Sequence, residues 1–148
     1  MSAIASFYLL PTDKLIGLRE VWPDYYHYIQ EHAEEYFEDY GWSGYCIGSL
    51  LDYLKDTKNI DLGASDYNLV LTGAYEEGFW IFDKPLKDKY LKLLEPKLYS
   101  DKELKSASSE YGYGELDAPA KPFRDGLVIF QKAMKLVSEK AIMLVHVG

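Results

Sequence analysis

The sequence predicts an α+β fold: one mixed α/β domain over residues 1–148, with several helices packed on a small sheet that contains both terminal strands. Three observations lead there. Phe123, Leu127, Phe130, Met134 and Val137 recur at steps of four, three, four and three, which lines one face of an α-helix. Residues 141–147 are apolar at nearly every position and too few to span a membrane, as in a strand buried on both faces. Residues 3–10 behave alike: the alternating sets Ile4/Ser6/Tyr8/Leu10 and Ala3/Ala5/Phe7/Leu9 are both mostly apolar. A chain that closes on its most buried helix and strand is built around them.

After the first strand, Pro11 and Thr12 stop it, and Thr12 or Asp13 can cap a short helix carrying Leu15, Leu18 and Val21. Pro23 ends that helix and suits the first turn of a second, over about residues 24–40, whose inner face is traced by Ile29, Ala33, Tyr36, Phe37 and Tyr40. His27, Glu31, Glu34 and Glu38 would share another face of it. Gly41 ends this helix, and Ser43 can cap a third over 44–55, with Ile47, Leu50, Leu51 and Leu54 inward. Residues 56–66 read as a surface loop, and 68–72 and 79–82 as two strands or extended segments. Asp83 can cap a helix whose Leu86, Tyr90, Leu93 and Leu94 face inward and which stops before Pro96. Ser100 and Glu103 have the capping-box spacing for a short helix to about residue 109. Residues 110–121 form the longest irregular stretch, of a length often used for binding loops. The final helix carries Val128, Ile129 and Leu136 beside its main stripe, so it should be covered on more than one side.

The layout resembles that of the YfbM-like family of bacterial proteins of unknown function. The likeness rests on an apolar strand, 4–10, running into the Thr12, Asp13, Lys14 helix start, and on a Glu-Tyr-Gly-Tyr loop at 110–113 after a polar helix. It also rests on a long helix leading into a final aliphatic strand that ends in Val147 and Gly148. Where that family tends to carry a tryptophan and a histidine in its central helix, this chain has Cys46, Ile47, Gly48 and Ser49. The resemblance implies a mixed α/β fold and brings no activity with it.

Composition narrows the function classes. The apolar share of 48% is that of a globular protein, in a chain long enough to bury roughly 70% of its unfolded surface. A single cysteine, Cys46, cannot form an internal disulfide, which points to the cytoplasm, and no secretory leader is expected in the first residues. No stretch reaches the ~18–20 apolar residues of a transmembrane helix, so no membrane partner is expected. The net charge of −8 and the two arginines, Arg19 and Arg124, argue against nucleic acid, whose phosphates need clustered cations. An acidic protein is instead steered toward a basic partner.

Spacing argues against most chemistry. The His27 and glutamate stripe lacks a matching set on a second helix, and a solvated acidic face explains it, so no metal is expected. Cys46 with His146 as a base through space is the best nucleophile pair, yet His146 sits in an aliphatic strand and Cys46 on an amphipathic helix. Gly41, Gly44 and Gly48 follow a helix rather than a strand, the wrong setting for a nucleotide, and read as a turn and a close helix contact. No cofactor is implied.

Fourteen tyrosines and three tryptophans remain, more than one core of this size needs. Tyrosine pairs a large apolar face with a hydroxyl and suits interfaces. The resulting expectation is a non-catalytic cytoplasmic protein-binding domain with an acidic, aromatic surface built from Asp39, Tyr40, Trp42, Tyr45, Tyr111 and Tyr113. A basic protein partner fits it, and an immunity protein that neutralises a basic nuclease toxin is one form, resting on charge and size. The alternative is a binder of, or enzyme on, a sugar- or nucleoside-like molecule, with a carboxylate- and tyrosine-lined cleft between the helix after Gly44 and the 110–120 loop. A homodimer seam along the Tyr-rich helix is a further use of the same aromatics.

Overall fold

A computed structural model describes residues 3–65, 67, 78–112 and 119–148. Strands β1 (Ala5–Pro11) and β4 (Ala141–Val147) pair antiparallel along their full length, from Ala5 opposite Val147 to Pro11 opposite Ala141. Among the described residues they form the middle of a four-stranded sheet of order β2-β1-β4-β3, with β2 (Glu34–Tyr36) and β3 (Phe79–Phe82) flanking them. The expected central place of the terminal strands is what their two-sided apolar character demands: Ile142, Met143, Leu144 and Val145 are all buried.

Alternation then assigns each face its helices. Phe7, Met143 and Val145 point toward α3 (Gly44–Lys58), α4 (Lys84–Tyr90), α5 (Asp101–Tyr111) and α6 (Lys121–Leu136). Leu10, Ile142, Leu144, Phe79 and Ile81 point the other way, toward α1 (Leu15–Val21) and α2 (Tyr26–His32). The five stripe residues are all buried at 1% exposure or less, four of them within α6, whereas Val137 is the extended residue that ends it, with φ −70° and ψ 140°. Each such side chain contributes roughly 1.5–3 kcal/mol of transfer free energy. Ile129 widens the stripe as expected, whereas Leu136 lies at the surface.

The predicted helix over 24–40 is corrected. It ends at His32; Ala33 turns extended, with φ −108° and ψ 155°, and the chain becomes β2. The cause is tertiary. The outer edge of β1 carries backbone groups that need partners, and β2 supplies them through Phe7–Tyr36, Tyr8–Glu35 and Leu9–Glu34. Phe37 then takes a left-handed φ of 60° and sets its ring edge-on to Phe7 at 5.6 Å, so the chain leaves the sheet edge there. Glu34 and Glu38 thereby part from the helical face of His27 and Glu31. Thr12 does not cap the first helix either; its hydroxyl donates to the Glu139 carbonyl at 3.0 Å and ties the start of α1 to the turn before β4.

Other capping expectations hold. Ser43, Asp83 and Ser100 accept from the backbone N–H groups of Tyr45, Leu86 and Glu103 at 3.3, 3.1 and 3.0 Å. The helix opened by Asp83 stops before Pro96, with Leu86, Tyr90 and Leu94 inward, but Leu93 is 45% exposed. Of the two extended segments expected after the loop, the second is β3; 68–72 lies outside the described residues.

The close helix contact expected of the glycines is made by Gly44. Its N–H donates to the Ala3 carbonyl at 2.8 Å, and a Cβ there would stand 2.6 Å from backbone atoms of Ile4 and Ala5. Backbone cannot swing aside as a side chain does. Gly44→Ala is therefore expected to lift α3 off β1 and cost about 1–3 kcal/mol, read as a lower denaturation midpoint. Gly48 has open space in that position, so Gly48→Ala should not destabilise in this way.

Glu103 ties α5 to α3. Its carboxylate accepts from the Tyr53 hydroxyl at 2.7 Å and pairs with Lys58. Burial works against its ionisation, but the Lys58 and Tyr53 hydrogen bonds, the Lys58 charge and the Ser100 backbone together hold the carboxyl below the usual range. A carboxyl depressed on folding adds stability above its unfolded pKa of about 4.3 and loses it as the pH falls through the folded value. Glu103→Gln should thus lower the melting temperature at pH 7, with the gap to wild type closing below about pH 4. A gap unchanged at pH 3 would contradict the pairing.

Candidate functional site

β2 and the turn after it carry the acidic run. Glu34, Glu35, Glu38 and Asp39 are all exposed along the sheet edge, and Glu31 is exposed on α2 just before it. Among the described residues, none of Glu34, Glu35, Glu38 and Asp39 is ion-paired with a cation. Partial burial, then the nearby Glu38 charge and a hydrogen bond with Glu38, raise the Glu35 carboxyl above its ordinary value. Two like charges thus oppose each other there, and among the described residues neither carboxyl has a salt bridge to a cation.

The six residues singled out from the sequence divide. Asp39, Tyr40 and Trp42 come together against the first turns of α6. The Tyr40 hydroxyl donates to the Pro122 carbonyl at 3.0 Å, and burial, with Cys46 and Asp125 nearby, pushes it well above the usual phenol range. The Trp42 indole N–H donates to Asp125 at 2.9 Å, and its ring is 37% exposed. Asp39, Tyr40 and Asp125 also line a shallow hollow of about 200 Å³ with Lys132. Tyr45 lies half-buried on the first turn of α3. Tyr111 is elsewhere: its hydroxyl shares a 3.0 Å hydrogen bond with Thr57, and its ring meets Tyr53 edge-on at 5.7 Å. Thr57 stands roughly 20 Å along the α3 axis from Ser43 at 1.5 Å per residue. Tyr113 lies outside the described residues, as does most of the 110–120 loop that would close the alternative cleft.

Sequence reading passed over a second place. Beneath α2, on the face of the sheet away from α3, lies a cleft of about 460 Å³. Its floor is the buried Phe79 and Ile29, its walls the half-buried Tyr8, Tyr25 and His146, and its rim Pro23, Asp24, Tyr26, His27 and Gln30. The signal was present in the alternation of the terminal strands, which puts Tyr8 and His146 on one face. It was obscured by reading Tyr25 and Tyr26 as part of one long helix.

The sheet also separates Cys46 from His146. Cys46 rides on α3, whereas His146 stacks on Phe79 at 4.3 Å on the opposite face, so the two do not form a nucleophile–base pair. Among the described residues no helix is long and apolar enough to cross a membrane. No protein-family model, curated protein or solved structure matches the chain.

Proposed function

We propose that this chain is a non-catalytic, cytoplasmic binding protein of the YfbM-like kind whose acidic edge receives a basic protein. The observation that carries the reading is the row Glu34, Glu35, Glu38 and Asp39, which among the described residues makes no salt bridge to a cation, followed by the 37% exposed Trp42. Charges of one sign on an exposed edge speed encounter with the opposite sign, and an aromatic at their border supplies the apolar contact that holds the complex. A short, charged edge strand also discourages pairing with further strands, so the edge suits side-chain recognition. The single Cys46 fits a reducing compartment. An immunity-type role against a basic toxin is one form this binding would take.

The test compares two variants that each remove four negative charges. One carries Glu34→Gln, Glu35→Gln, Glu38→Gln and Asp39→Asn; the other carries Glu20→Gln, Asp56→Asn, Glu110→Gln and Glu139→Gln, at exposed positions away from the edge. In affinity capture from native extract at low salt, wild type and the second variant should retain the same basic protein and the first should lose it. Equal retention by both variants would reduce the effect to net charge and defeat the proposal.

A further inference from the structure

The cleft beneath α2 is built from rings. Tyr25 stacks on Trp22 at 5.0 Å and stands edge-on to Phe79 at 4.8 Å, and Phe79 in turn stacks on His146. α2 itself is fixed against α1 by the Tyr28 hydroxyl, which donates to the Lys14 carbonyl at 2.7 Å. The walls are therefore held in place before any ligand arrives, and about 460 Å³ lies within the range of small-molecule sites.

Charge selects the ligand. Asp24 stands at the rim, and Glu35, directly opposite Tyr8 across β1 and β2, points to the same face of the sheet. No lysine or arginine is among the described lining residues. The internal stretches outside the description, residue 66, 68–77 and 113–118, contain none either, so they can add no such side chain. Phosphate- and carboxylate-bearing ligands would thus meet the negative charge of Asp24 and Glu35 with no ammonium or guanidinium to offset it, only the imidazoles of His27 and His146. Aromatic faces with acidic neighbours are what attract a weakly hydrated cation.

We propose that this cleft binds a small organic ammonium ion, its head group against the rings of Tyr8, Tyr25 and Tyr26 and within the field of Asp24. The site shares Glu35 with the acidic edge but lies beneath α2 rather than along that edge, and it does not depend on the edge having a protein partner.

The probe is choline, with 3,3-dimethylbutan-1-ol as its uncharged isostere, followed by NMR titration of the intact chain. Choline should shift the ring signals of Tyr8, Tyr25 and His146 and bind at least about tenfold more tightly than the isostere. Asp24→Asn, at an exposed position that should leave folding intact, should weaken choline about fivefold and leave the isostere unchanged. Tyr25→Leu should abolish the preference, provided its amide spectrum remains that of the folded chain. Equal affinity for choline and the isostere would make the cleft a merely apolar hollow and overturn the proposal. So would the absence of shifts at these rings with up to millimolar choline.

Discussion

Phe7→Ala is expected to lower stability by about 3–5 kcal/mol, the largest effect of any single truncation considered. Phe7 is fully buried in β1, between Tyr36 of β2 and Val145 of β4. Its ring meets Phe37 edge-on at 5.6 Å and Phe130 of α6 at 6.4 Å, and Phe130 meets Phe82 of β3 edge-on at 5.6 Å. One ring therefore links the last helix, the central strand and the residue that turns the chain out of β2. Removing it leaves a cavity that these neighbours cannot collapse into without moving the sheet edge. Phe7→Leu should cost clearly less, because it keeps most of the buried area. Denaturant midpoints at constant slope would read both. A Phe7→Ala loss under about 1 kcal/mol would contradict this packing.

Asp83→Ala should cost about 2–4 kcal/mol, through hydrogen bonds rather than volume. Asp83 is 3% exposed, and one carboxylate oxygen accepts from the Leu86 N–H at 3.1 Å and so caps α4. The other accepts from the Ser65 hydroxyl at 2.5 Å, and the Ser65 oxygen accepts from the Tyr67 N–H at 3.1 Å. Truncation leaves a buried hydroxyl and a helix N–H without their acceptor. Since Ser65 acts through Asp83, adding Ser65→Ala should cost little more than Asp83→Ala alone, a coupling that a double-mutant cycle measures. Additive losses would mean that the two side chains work separately.

Much of the fold was legible because its signals are local. The helical stripe from Phe123 to Met134, the two-sided strands at either end and the caps Ser43, Asp83 and Ser100 each follow from neighbouring residues alone. What was illegible is long-range. Residues 33–37, Ala-Glu-Glu-Tyr-Phe, are compatible with helix or strand, and the open edge of β1 decided for strand, as no reading of that segment alone could anticipate. The left-handed Phe37 has no sequence signal; its ring contact with Phe7 accounts for it. The candidate surface was legible in part for the same reason. Asp39, Tyr40 and Trp42 are neighbours in sequence and stay together, whereas joining them to Tyr111 required knowing how α5 lies on α3.

The most direct measurement is the association rate of the captured basic partner with wild type and with the Glu34→Gln, Glu35→Gln, Glu38→Gln, Asp39→Asn variant, across a series of ionic strengths. If the acidic edge is the receiving surface, the wild-type rate falls steeply with salt. The variant should associate about tenfold or more slowly at low salt, with a much flatter dependence. Identical rates and identical salt slopes for the two proteins would contradict it.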